Sequence, residues 1–130
     1  FNTTKLVLVG YADYSRIESI EPLEIIDIAE EVEANVVMID TYVKDGKDTF
    51  DFLSKNYLQE FVEEAHKKSL LTALAGSLKK HHIADVIKLG FDIIGVRGAV
   101  CVGDRKGHIS RELVADLKKT IEHYLGTMIV

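Results

Sequence analysis

A carboxylate and an amine stand four residues apart in the segment Met38-Ile39-Asp40-Thr41-Tyr42-Val43-Lys44. A lysine held in a pocket can form a Schiff base with a carbonyl once its pKa is lowered by burial or by cationic neighbours, and a nearby carboxylate can shuttle the protons. Asp40 and Lys44 are therefore our candidate catalytic residues. Spacing alone favours another interpretation, in which the two side chains form a structural ion pair beside a simple Asp45-Gly46 turn.

Two turns of small residues further along the chain are candidate phosphate-binding segments, Ala75-Gly76-Ser77 and Gly95-Val96-Arg97-Gly98. In the first, we expect the chain to enter a helix directly after Ser77, so that backbone N–H groups and the positive helix end face an anion. The second turn adds a guanidinium. The predicted phosphate-binding residues are Gly76, Ser77, Arg97 and Gly98. As isolated motifs, the glycines are equally typical of tight turns.

Other reactive side chains have weaker patterns. The segment from Gly10 to Arg16 mixes a glycine with aromatic and ionisable groups, which is typical of a pocket lining and also of an ordinary polar loop. The basic residues of the loop from Gly103 to His108 are placed to contact an anionic substrate. Adjacent His81 and His82 point in different directions on a helix, so we predict no metal site. Cys101 lacks a thiolate-stabilising motif, which indicates a packed thiol.

These residues must be positioned by four short apolar runs, which we predict to be strands buried on both faces. The runs are Leu6 to Val9, Val36 to Ile39, Leu70 to Ala75, and Ile93 to Val96.

Helical spacing of apolar residues predicts a helix after each strand. The first follows Pro22, the third runs from Ser77 to Gly90, and the fourth follows Ser110. The predicted buried faces are Ile25, Ile28, Ala29 and Val32; Leu58, Phe61, Val62 and Ala65; Ile83, Val86 and Ile87; and Leu113, Val114, Leu117 and Ile121.

The order βαβαβαβα predicts an α/β fold with parallel strands and right-handed crossovers. Two architectures fit it: the C-terminal half of a TIM-type (β/α)₈ barrel, whose usual length of about 250 residues is twice this chain, or a small doubly wound sheet. No linker divides residues 1–130, so we expect one structural unit. Barrels commonly bind phosphate with the loops after their last two strands, which are the two glycine turns if the barrel assignment holds.

Composition excludes several classes of protein. The 130 residues carry 16 Lys and Arg against 21 Asp and Glu, and the net charge of -5 argues against a nucleic-acid partner. No apolar run approaches the roughly 20 residues that span a bilayer, so we predict no membrane association. The single cysteine indicates a cytoplasmic location. The first residues have neither an initiator Met nor a signal pattern, so we expect residue 1 to be a fragment boundary.

Several spaced segments together resemble the (5-formylfuran-3-yl)methyl phosphate synthase family of methanofuran biosynthesis. The resemblance runs in order from about Leu6 to Leu117. It is carried by Gly-Tyr-Ala-Asp at 10–13, Glu-Pro-Leu at 21–23, Lys-Asp-Gly-Lys at 44–47, Asp-Phe at 51–52, Ala-Gly-Ser at 75–77 and Gly-Val-Arg-Gly-Ala at 95–99.

The resemblance implies a TIM-type barrel lyase that condenses two molecules of glyceraldehyde 3-phosphate, losing phosphate and water, with lysines and aspartates at the strand ends. Asp40 and Lys44 match two of those positions, whereas the family's other lysines and an aspartate lie on early strands outside this chain. We therefore expect the chain alone to be inactive. The scheme requires no metal or organic cofactor.

A half-barrel also predicts a homo-oligomer, because its outer strands and open face lack partners. Two alternatives stay open at this point. One is a receiver-like signalling domain with Asp40 as the phosphorylated residue, although Gly10-Tyr11-Ala12 replaces the expected acidic pair. The other is a different aldolase-type barrel that binds a phosphosugar.

Overall fold

The computed structural model describes residues 3–103 and 106–128, and it contains four strands, each followed by one α-helix except the second, which is followed by two. The strands are β1 (Val7–Tyr11), β2 (Val36–Asp40), β3 (Leu71–Leu74) and β4 (Ile93–Ile94). The helices are α1 (Glu24–Glu31), α2 (Thr49–Phe52), α3 (Lys55–Lys67), α4 (Ile83–Leu89) and α5 (Arg111–Met128). All four predicted strands are present, with ends shifted by at most two residues.

The strands form one parallel sheet in the order β1-β2-β3-β4. The chain is therefore an α/β protein, as predicted. Because all four strands are parallel, their carboxyl ends lie at the same edge of the sheet. Each crossover leads to the adjacent strand, always in the same direction across the sheet.

The main core lies between this sheet and the helices α1, α3 and α4. The predicted face of α3 is confirmed, since Leu58, Phe61, Val62 and Ala65 are all buried. Leu58, Phe61 and Ala65 share one core cluster with buried side chains of the sheet, including Val37, Ile39 and Leu74. A smaller cluster joins α4 to α5 through Ile83, Val100 and Leu117.

Two predicted helix faces are partly wrong. In α1, Ile26 is buried with Ile25 and Ala29, whereas Ile28 and Val32 are exposed because the sheet lies on the other side of the helix. In α5, Leu117 is buried, but Leu113 and Val114 are exposed.

Local capping explains where the helices begin and end. The Ser54 and Ser110 hydroxyls accept the N–H groups of Tyr57 and Leu113, which confirms the predicted start after Ser110. Gly90 ends α4 with a φ of 90°, also as predicted. The predicted start directly after Ser77 is wrong, because Ser77 has a φ of 54° and a 3-10 turn over Lys80–His82 precedes α4.

The prediction that the strands are buried on both faces is only partly right, because Val36 and Ala73 are buried on the face away from the helices but other side chains of that face are not. The register pairs Val7 with Val36 and Leu71, and Val9 with Met38, Ala73 and Ile93, so these side chains share the face away from the helices. On that face Val7, Val9, Leu71 and Ile93 are 40–49% exposed. We call these four residues the open sheet face. None of the helices in the described part of the chain is long and apolar enough to cross a membrane.

Candidate active site

A cavity of about 510 Å³ lies at the carboxyl edge of the sheet, between the loops that follow β2, β3 and β4. Its lining includes all six residues predicted from the sequence: Asp40, Lys44, Gly76, Ser77, Arg97 and Gly98. Parallel pairing explains this convergence, because strand ends far apart in sequence meet at one edge. The roles of these residues in catalysis and phosphate binding stay predictions.

Asp40 and Lys44 form a hydrogen-bonded ion pair at the end of β2. The Lys44 Nζ lies 2.9 Å from Asp40 Oδ1 and donates a second hydrogen bond of 2.8 Å to Thr41 Oγ1. Both side chains are more than a quarter exposed, so the pair faces the cavity. The ion pair expected from the spacing is therefore present, and the catalytic role of the two residues stays a prediction.

The turn after β3 fits closely against the loop after β2. Thr49, at the start of α2, donates its hydroxyl to the Ala75 carbonyl at 2.6 Å and its N–H to the Gly76 carbonyl at 3.1 Å. Gly76 has a φ of 106°, and a Cβ there would overlap the Thr49 hydroxyl and crowd Thr41. Buried Thr41 and Thr49 were not identified from the sequence, because threonine in a loop gives no signal of such contacts.

Positive charge in the cavity comes from side chains rather than from a helix end directly after Ser77. Lys44, Lys79, Arg97 and Lys106 line it, and Asp40 supplies the carboxylate. An anion is therefore favoured here even though the net charge of the chain is -5. Lys106 comes from the basic loop predicted to contact an anionic substrate; that loop's Arg105 lies outside the described residues.

The segment from Gly10 to Arg16 does not line this cavity. Its most buried side chain, Asp13, is fully shielded from solvent and pairs with Arg16 at 2.7 Å. Burial by itself would raise the pKa of Asp13, but hydrogen bonds from the backbone N–H groups of Tyr42 and Val43 and from Arg16 outweigh it and lower the pKa. Asp13 is thus an ionised group beneath the Lys44 loop.

The remaining candidates are structural. Cys101 is a buried free thiol, as predicted. His82 is buried against Phe50, and burial lowers its pKa despite Asp48 nearby. Among residues 3–103 and 106–128, no three His, Cys, Asp or Glu side chains are grouped so as to hold a metal ion.

The fold and the cavity together define an α/β protein with a lysine–carboxylate pair beside two small-residue turns and several cations. The profile of a family described as 4-HFC-P synthase matches residues 1–118, and the chain belongs to that family. Family membership favours a synthase over the receiver-like alternative.

Similar curated proteins carry the same assignment. The (5-formylfuran-3-yl)methyl phosphate synthase of Methanocaldococcus jannaschii is 53% identical over 116 residues, which are 88% of this chain and 49% of that protein. The proteins of the same name from Methanosarcina acetivorans and Methanopyrus kandleri are 50% and 48% identical, over 87% and 91% of this chain and 48% and 51% of theirs. The chain therefore spans about half the length of the curated relatives it matches.

The close fit at Gly76 generates a testable prediction. Gly76→Ala is expected to lower the free energy of unfolding by about 2–5 kcal/mol, because the left-handed backbone and the overlap with Thr49 both add cost. Gly46→Ala is the matched control: Gly46 has a φ of 92° but nothing within 4 Å of an added Cβ, so about 1–2 kcal/mol is expected. Urea unfolding of both variants measures the difference, and equal losses would contradict the packing described for Gly76.

Proposed function

We propose that this chain supplies four C-terminal β/α units of a (β/α)₈ lyase that condenses two molecules of glyceraldehyde 3-phosphate into (5-formylfuran-3-yl)methyl phosphate for methanofuran biosynthesis. The observation that carries this proposal is that a lysine–aspartate pair and two small-residue turns share one cavity in a member of the 4-HFC-P synthase family. Because the chain spans about half of its relatives, groups from the other half are needed, and the chain alone is inactive.

Three features support a half-barrel over a doubly wound sheet. The strand order runs in one direction, whereas a doubly wound sheet reverses it at a switch point. The helices of the main core pack against one face of the sheet. The opposite face carries partly exposed apolar side chains, as expected of a barrel interior that the other four strands would enclose.

Lys44 and Asp40 carry the proposed chemistry. Triose phosphate isomerises, and one sugar is activated when an amine adds to its carbonyl and water leaves, giving an imine or enamine. Lys44 serves as this amine or as a proton shuttle, and Asp40 orients the sugar or accepts a proton across the 2.9 Å contact. Aldol addition to the second sugar, hydrolysis of the imine to free the amine, and loss of phosphate and water close the furan. This scheme uses no metal or organic cofactor.

Phosphate of the phosphosugar substrate is held between Gly76-Ser77 and Arg97-Gly98, away from the reacting carbon. Backbone N–H groups in tight turns and a guanidinium are suited to phosphate oxygens. Lys79 and Lys106, which line the same cavity, add attraction for the anion. A cytoplasmic location completes the proposal, and it is supported by the single cysteine, a buried free thiol.

The role of Lys44 can be tested in a full-length chain that contains this segment. Lys44→Ala is expected to lower turnover of glyceraldehyde 3-phosphate at least about 100-fold, because a positioned acid–base or nucleophilic group is lost. Lys88→Ala, an exposed lysine on α4, is the control and should keep wild-type turnover. Near-normal turnover in a folded Lys44→Ala protein would exclude the catalytic role.

Self-association tests the half-barrel assignment. We expect two copies of the 130-residue chain to cover each other's open sheet face, because within residues 3–103 and 106–128 nothing covers its four apolar side chains fully or pairs with the outer edges of β1 and β4. Sedimentation velocity over a range of concentrations should show a dimer in the wild type. Val9→Lys, on the open sheet face, should abolish it, whereas Val32→Lys, at a more exposed valine directly after α1, should not. A wild type that stays monomeric at high concentration would favour the doubly wound alternative.

A further inference from the structure

The loop that carries Lys44 is anchored from below by a buried carboxylate. Residues 41–48 contain no helix or strand, yet the N–H groups of Tyr42 and Val43 both point at Asp13, donating hydrogen bonds of 2.8 and 3.0 Å. Asp13 is fully shielded from solvent and belongs to the segment directly after β1, a different strand from the one that carries Asp40. The backbone immediately before Lys44 is therefore fixed by a charge from the neighbouring strand.

Arg16 extends this anchor to the other side of Lys44. Its guanidinium donates to Asp13 Oδ2 at 2.7 Å, to Asp45 Oδ2 at 2.7 Å and to the Val43 carbonyl at 3.4 Å. The same group lies 4.4 Å above the centre of the Phe52 ring. A planar guanidinium that contacts two carboxylates and an aromatic ring is fixed in orientation. A lysine ammonium at the same position cannot make this set of contacts.

We propose that Asp13 and Arg16 are positioning residues for Lys44, which hold residues 43 and 45 so that the Lys44 amine stays against Asp40 and Thr41 at the cavity. The catalytic value of this arrangement rests on the function proposed above. Without Asp13 and Arg16, the backbone around Lys44 is released, and the amine leaves Asp40 and Thr41 more often. A displacement of about 1 Å at a reacting group can then cost a large factor in rate.

Ion pairs elsewhere in the fold allow this role to be separated from stability. Asp92 lies just before β4, at the opposite edge of the sheet, and accepts hydrogen bonds from the N–H of Thr72 at 2.9 Å, its hydroxyl at 3.0 Å and His66 Nε2 at 2.8 Å. Burial tends to raise the pKa of Asp92, but these hydrogen bonds lower it, as they do for Asp13. Asp92→Asn is therefore a control that removes a hydrogen-bonded carboxylate, partly exposed in this case, without touching the Lys44 loop.

The experiment measures access to the Lys44 amine directly. The 130-residue wild type and the Asp13→Asn, Arg16→Lys and Asp92→Asn variants are treated briefly with acetic anhydride, and peptide mass spectrometry gives the acetylation rate of Lys44 relative to exposed Lys88. We expect the ratio to rise several-fold in Asp13→Asn and Arg16→Lys, because the amine is no longer held in place. In Asp92→Asn we expect a lower melting temperature and an unchanged ratio.

Circular dichroism establishes that each variant is folded, and Arg16→Lys keeps the test available if Asp13→Asn does not fold. An unchanged Lys44 ratio in folded Arg16→Lys, or an equal rise in Asp92→Asn, overturns the proposal. The proposed function is checked separately by trapping an imine with glyceraldehyde 3-phosphate and cyanoborohydride in a full-length chain that contains this segment. Failure to trap one on Lys44 counts against the lysine chemistry, whereas the acetylation ratio still decides whether Asp13 and Arg16 position the amine.

Discussion

Parallel pairing of four strands in sequential order is the constraint on which the rest of this structure depends. It brings the carboxyl ends of all the strands to one edge, so Asp40, Gly76 and Arg97 line a single cavity although they follow different strands. The same order allows the helices of the main core to pack on one face. The site and the open sheet face are therefore two results of one topology.

Tight local contacts then fix the shape of that edge. Thr49 holds the turn at Ala75 and Gly76, while Asp13 and Arg16 hold the loop around Lys44. Each anchor comes from a neighbouring unit rather than from the loop that it holds. The chain has a net negative charge, but four cationic side chains and one carboxylate line the cavity. This local excess of positive charge favours an anionic ligand.

Periodicity predicted the strands and the buried face of α3, because Leu58, Phe61, Val62 and Ala65 define a single helical stripe. Periodicity predicted the buried face of α1 only in part. Apolar residues at 25, 26, 28, 29 and 32 allow two overlapping buried faces, and only the position of the sheet selects between them. The predicted helix start directly after Ser77 was wrong, because Ser77 has a left-handed backbone conformation and α4 begins only at Ile83. The four side chains of the open sheet face were predicted to be buried but are partly exposed. Continuous apolar runs do not reveal whether a second layer covers the sheet.

The candidate site shows the same division between local and long-range information. Strand ends and glycine turns were visible as local motifs, and the structure brings all six predicted residues together. The anchoring contacts were not visible, because Asp13 and Tyr42 are 29 residues apart and Thr49 and Ala75 are 26 apart. Such pairings depend on which strands become neighbours, which single-residue patterns do not specify.

Titration of the ¹⁵N-labelled chain with inorganic phosphate, followed by NMR at constant ionic strength, tests most directly the claim that this cavity is a phosphate site beside a reactive lysine. Saturable shifts are expected at the amides of Gly76, Ser77 and Gly98 and at the Arg97 side chain, with sulfate competing and chloride having little effect. Saturable shifts confined to other surfaces, or none at these four residues, would contradict it.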